Sequence, residues 1–125
     1  MRQVAAAGIR AIEFWGWWDR NLVELQQSCE QNSLTVAACC THFISLVDPA
    51  QRRAYLEGLE GSIATAKQLN CPTIISQVGD CREGVSRNDQ RQSLIDGLKM
   101  VVPMLEAADV TLVIEPLNEH VDHPG

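Results

Sequence analysis

"VTLVIEPLN" (110–118) decides how this chain is read. Val110 to Ile114 are apolar or β-branched, the composition of a buried strand. Glu115 follows without a break, and Pro116 then ends the strand, because proline has no N–H to give to a ladder. A carboxylate at the end of a buried strand is costly unless it is paired or bound to a metal. The segment therefore leaves a choice: Glu115 pairs with an Arg from another strand, or it serves as a metal ligand or general base.

Working back from this strand, the chain alternates between two periodicities. Strand patterns lie near 9–15, 34–42, 72–78 and 110–115, and each interval carries apolar residues at helical spacing. In the first interval Leu22, Leu25 and Cys29 form the stripe, with Asp19 expected as N-cap. In the second, Asp48-Pro49 supplies an N-cap and a Pro at the first helical position, followed by Leu56, Leu59, Ile63 and Ala66. In the third, Ser86 with Asp89 has the capping-box pattern, and Leu94, Leu98, Val101 and Leu105 follow, with Pro103 expected to kink or divide the helix. "RQVAAAG" (2–8) reads as the end of a helix. Repeated βα units predict an α/β protein with a parallel sheet. The spacing fits part of a (β/α)8 TIM barrel, whose units take roughly 30 residues each in a total of about 250. A doubly wound sheet is the rival, but no GxGxxG follows any strand to support its dinucleotide-binding form. Four βα units cannot close a barrel, so residues 1–125 are expected to be a single incomplete domain, with the first strand and the C-terminal half missing and the stop at Gly125 a truncation.

Composition narrows the function classes. The chain has 125 residues, 46% hydrophobic and 21% charged, with a net charge of −6. Its ten Lys and Arg are scattered, which argues against nucleic acid as a partner. No apolar run has the roughly 18 residues of a membrane span, and no export signal is read at the N-terminus. Five cysteines without CxxC spacing, most of them in apolar segments, fit a reduced, cytoplasmic protein better than a zinc site.

Side chains alternate across a strand. In the first strand Ala11, Glu13 and Trp15 share a face; in the third, Thr73, Ile75 and Gln77; in the fourth, Thr111, Val113 and Glu115. The opposite faces carry the bulky residues suited to a helix layer. Glu13, Gln77 and Glu115 are therefore expected to point into a barrel at its C-terminal mouth, where barrel enzymes place their sites. Glu13 reads equally as a salt-bridge partner or a substrate contact. In the second strand parity leaves open whether Thr41 or His42 faces inward; His42 is a candidate substrate contact or a hydrogen-bonded structural residue. Trp15, Trp17 and Trp18 cluster in "FWGWWDR" (14–20), with one expected in the pocket, Trp15 the candidate, and the others in packing. Asn118 is close enough to Glu115 to shape the same site. His120 and His123 have the number but not the fixed spacing for a metal site.

Taken together, "AIEFWGWW" (11–18), "SLVDPAQR" (45–52), "CPTIISQVGD" (71–80) and "LVIEPLNEHVDHPG" (112–125) resemble the hydroxypyruvate isomerase-like members of the xylose isomerase-like TIM barrel (sugar phosphate isomerase/epimerase) superfamily. That superfamily also holds tagatose-type epimerases, inosose dehydratases and endonuclease IV-type DNA-repair enzymes. The resemblance runs over nearly the whole chain and corresponds to an N-terminal half. It implies a divalent metal ion, Mg, Mn or similar, at the mouth, and two glutamates that move a proton between adjacent carbons. Glu115 matches the strand-end glutamate, as catalytic residue and metal ligand; the other ligands and the second glutamate would be residues absent from this chain. "CCTHF" (39–43) departs from the pattern at His42, which takes no role from the family.

The expected reaction is isomerisation of hydroxypyruvate to tartronate semialdehyde through an enediolate, with a small hydroxy-carbonyl substrate, no membrane or nucleic-acid partner, and homo-oligomerisation left open. The alternatives are a related ketose epimerase or inosose dehydratase-type enzyme, or a non-catalytic half-barrel that must associate, since an open sheet has exposed edges. A DNA-repair endonuclease is disfavoured by the acidic balance. The 125 residues alone are expected to be inactive.

Overall fold

A computed structural model describes residues 1–117 and 121. A short helix α1 (Arg2–Ala6) leads into β1 (Ala11–Phe14), α2 (Leu22–Gln31), β2 (Thr35–Cys40), a 3-10 turn (Pro49–Gln51) running into α3 (Arg52–Gln68), β3 (Thr73–Ser76), α4 (Arg87–Ala108) and β4 (Thr111–Ile114). The strands are the expected four, trimmed by one or two residues at each end. All pair in parallel, in the order β1-β2-β3-β4. A doubly wound sheet would reverse its strand order at a switch point; this one advances in one direction, as in a barrel wall.

Helix starts follow the caps with one correction. The N-cap of α2 is Asn21, whose Oδ1 accepts from Glu24 N at 3.3 Å, rather than Asp19. Asp19 falls in the turn before it. Asp48 caps the 3-10 turn by accepting from Ala50 N, and Ser86 caps α4 by accepting from Asp89 N at 3.1 Å. The expected division of the last helix does not occur: α4 runs unbroken through the exposed Pro103.

The core lies between the sheet and its helices. Val36, Cys39 and Ile74 from the strands meet Cys29 of α2, Tyr55, Leu59 and Ala66 of α3, and Val101 and Leu105 of α4. Tyr55 is 2% exposed, and its hydroxyl shares a 2.7 Å hydrogen bond with Ser76 Oγ at the end of β3. On the opposite face Ala11, Glu13, Thr35, Thr111 and Val113 are exposed. Helices thus cover one side of the sheet, leaving the concave side for the interior of a barrel.

The undecided strand parity has a structural cause. Ile12 pairs with Val36 but Glu13 pairs with Ala38, so Ala37 is an extra residue in β2. This bulge shifts the alternation by one. Val36 and Cys39 both face the helices, while Ala38 and Cys40 fall in register with the concave-side residues Glu13 and Ile75. Thr41, 3% exposed, then turns to the helix layer, on the side of Tyr55.

Candidate functional site

The C-terminal ends of the strands gather the polar residues. Glu115 leaves β4 half-buried, its backbone N–H still donating to Ser76 O at 3.0 Å, so the residue is held in the extension of the ladder. Cys40 lies on the same concave side and is 3% exposed. Burial, then the negative charges of Glu115 and Glu13, push its thiol up to about 11. Both carboxylates therefore act on one buried atom at the mouth. A like-charged neighbourhood of this kind favours groups that carry a proton or a positive charge.

Two clefts open at this end. One, of about 530 Å³, has Glu115 on one wall and Arg87, Gln90, Arg91 and Leu94 of α4 on the other. The second, of about 340 Å³, lies between the β2–α3 and β3–α4 loops and is lined by Gln77, Phe43, Ser45, Gln51 and Arg82 among others. Gly79, Asp80, Cys81 and Leu117 border both, so the clefts adjoin. Gly79 has φ +97°, and a Cβ there would overlap Ser45 of the facing loop. A side chain at position 79 would separate the two loops.

Of the expected contacts, Glu13 stands exposed on β1 and Gln77 lines the smaller cleft. Trp15 is 70% exposed and borders neither cleft. Trp17 packs over Gly61 of α3 and donates from Nε1 to Ser62 Oγ at 3.1 Å. His42 stacks on Trp18 with ring centroids 4.2 Å apart, meets Trp17 edge-on at 5.0 Å, and lies against Gly58 of α3. His42 is thus part of a rim cluster with two indoles, outside both clefts. Asn118, with His120 and His123, lies outside the described residues.

Two residues not singled out from the sequence organise the mouth. Gln90 is 6% exposed on α4; its Oε1 accepts from Arg82 N at 2.8 Å and its Nε2 donates to Arg82 O and Val85 O at 3.3 and 2.9 Å. One buried amide therefore fixes the β3–α4 loop. Ser93, on the next turn of α4, donates to Leu46 O at 2.9 Å and fixes the β2–α3 loop. Nothing in the sequence marks either as more than a polar residue in the first turns of a helix.

Among the described residues no three His, Cys, Asp or Glu side chains converge as a metal site. Glu115 supplies one hard oxygen donor, of the kind Mg and Mn take.

A model of the xylose isomerase-like TIM barrel family matches residues 1–125. Hydroxypyruvate isomerase of Escherichia coli (strain K12) is 27% identical over 132 residues, a match covering 98% of this chain and 50% of that protein. The crystal structure of AP endonuclease, family 2, from Brucella melitensis superposes with a TM-score of 0.86 at 20% identity, over 94% of this chain and 48% of its own. That of an IOLI protein with a bound zinc atom gives 0.72 at 15% identity, over 89% and 43%. At these identities the two structures establish the fold alone. The chain spans about half the length of the relatives it matches.

Proposed function

The chain belongs to the xylose isomerase-like TIM barrel family, and from that premise we propose that the protein is an intramolecular aldose–ketose isomerase that converts hydroxypyruvate to tartronate semialdehyde. The observation that carries the reading is the placement of Glu115, half-buried at the exit of the last described strand, beside a cleft and, like Glu13, within electrostatic reach of Cys40. Similarity to a hydroxypyruvate isomerase over nearly the whole chain supports the choice of substrate.

In the reaction a C–H bond next to the carbonyl breaks. Its proton goes to a Glu115 carboxylate oxygen, and its electron pair spreads over the enediolate. Glu115 then returns the proton to the neighbouring carbon, the hydroxyl proton passes to the former carbonyl oxygen, and the carbonyl moves by one position. Gln77, which follows β3 and lines the adjoining cleft, would hydrogen-bond a substrate oxygen there. The exposed Glu13 and Trp15 belong to the mouth that a closed barrel would enclose.

The residues present fit the family's divalent ion through one ligand, Glu115; the other ligands would come from outside residues 1–125. When bound, the ion supplies a Lewis acid for the substrate oxygens. All five cysteines are free and four are buried, which supports a reducing, cytoplasmic setting. No helix among the described residues is long and apolar enough to cross a membrane.

The test is 13C NMR of hydroxypyruvate incubated with the intact protein in D2O with Mg or Mn, beside Glu115→Gln. Tartronate semialdehyde should accumulate with solvent deuterium at the new C–H, and Glu115→Gln should lower kcat by about 10²–10⁴, the range for loss of a general base. Turnover by Glu115→Gln within a few-fold of the parent would remove this residue from the mechanism. Epimerisation of a ketose, with no reaction of hydroxypyruvate, would replace the substrate assignment.

A further inference from the structure

Resting on that reading, we infer that the cleft between the β2–α3 and β3–α4 loops is a carboxylate-binding subsite, anchored by the guanidinium of Arg82 with Ser45 as second donor. The substrate it selects is a small hydroxy-keto acid rather than a neutral sugar.

Three observations carry this. First, Arg82 is positioned from below. The buried Gln90 amide holds both its N–H and its C=O, so the residue's backbone is fixed although it lies in a surface loop. Second, its guanidinium is under-used. Among the described residues its one ion pair is a single contact, Nη2 to Asp48 Oδ1 at 3.5 Å, between side chains 36% and 23% exposed. A bidentate Arg–carboxylate pair closes to about 2.7–2.9 Å, and an exposed single contact is weak. Asp48 is also occupied elsewhere, accepting from Ala50 N at 3.1 Å and Gln51 Nε2 at 3.5 Å. Third, Ser45 Oγ is buried without a hydrogen-bond partner among the described residues. Such a buried hydroxyl is uncommon, and Ser45 borders this cleft beside Gly79.

Among the described residues the Arg82 fork and the Ser45 hydroxyl are therefore donors without a strong partner, and the Gln77 amide lines the same cleft. A ligand rich in acceptors complements them, and a planar carboxylate matches a guanidinium fork. Asp80 opposes an anion, but it is exposed at the rim, where solvent and salt screen it. Because this cleft adjoins the one that Glu115 lines, an acid held by Arg82 sits in the same mouth as the proposed base.

The experiment uses two probes that cannot be isomerised, glycerate and glycerol, which differ by a carboxylate. Binding to the intact protein is followed by ligand-observed NMR in EDTA, so neither turnover nor metal enters. Glycerate should bind and glycerol should not compete with it. Arg82→Gln should weaken glycerate by about tenfold or more, the loss expected for a charge-assisted hydrogen-bond pair, with an unchanged thermal melt. Asp48→Asn, which keeps a capping acceptor and removes the competing charge, should tighten it. Equal binding of glycerate to the parent and Arg82→Gln, or no binding at all, overturns the subsite. Displacement of glycerate by much lower concentrations of inorganic phosphate overturns the carboxylate assignment. Hydroxypyruvate turnover separates the two readings. If it is absent while glycerate binding depends on Arg82, the reaction assignment fails and the subsite stands. If it is present and KM is unchanged in Arg82→Gln, the reverse holds.

Discussion

Gly97→Ala is a stringent test of the packing that sets the mouth. In the middle of a helix this change ordinarily stabilises by about 1 kcal/mol. Here an added Cβ would lie 2.7 Å from Leu46 Cδ2 and 3.4 Å from Cδ1 and Cγ. Carbon contacts settle near ~3.5–4.0 Å, so something must move by about 1 Å. Leu46 has little room: it is 0% exposed, and its carbonyl is held by Ser93 on the same face of α4. Overpacking of this kind costs about 1–3 kcal/mol. The net expectation is destabilisation by about 1 kcal/mol, seen as a urea midpoint lowered by roughly half a molar at unchanged slope. Leu46→Val removes the clashing Cδ atoms, so the two changes together should cost less than their sum. A midpoint raised by Gly97→Ala would refute the close approach, and with it the argument that α4 grips the β2–α3 loop.

Two further changes probe the interior. Tyr55→Phe deletes the hydroxyl shared with Ser76 and should cost about 1–2 kcal/mol in the same urea assay, leaving Ser76 Oγ to donate only to Gln77 O. The cysteines should divide by accessibility: at pH 8 a disulfide reagent should modify the exposed Cys81 rapidly and the other four slowly until the protein unfolds. Cys40 adds a pH dependence. Its thiol is raised in the folded state to about 11 from an ordinary value of 9.0, so its contribution to stability is present below pH 9 and lost as pH rises toward 11. Glu115→Gln removes one of the charges responsible and should lower the Cys40 value, and narrow that window, without returning it to 9.0, because burial is the larger cause.

The α/β alternation was legible because each strand is short, apolar and followed by a cap with a chemical signature, as Ser86 and Asp89 illustrate. Asn21 was overlooked in favour of Asp19 because both are good caps two residues apart, and only the turn geometry separates them. Strand parity placed Glu13 and Glu115 on one side because β1 and β4 are regular where it was applied. It failed in β2, where "VAACC" gives no sign that Ala37 is unpaired. Arg82, Ser45 and Gln90 were invisible for a different reason. Their importance lies in contacts between loops and a helix far apart in sequence, such as Arg82 to Asp48 and Gln90 to Arg82.

The extra residue at Ala37 bears on how such chains are aligned and edited. Upstream of it, the strand is phased by Ile12 and Val36; downstream, by Glu13 and Ala38. Deleting Ala37 would restore plain alternation with Cys39 still in the helix layer and Cys40 still in the barrel, whereas keeping it without the bulge would exchange the two cysteines. The same deletion would leave Val36 in place. One position thus uncouples the requirements of the structural half of the strand from those of its working end, and a relative lacking it needs a gap at residue 37 before its strand-end residues can be compared with these.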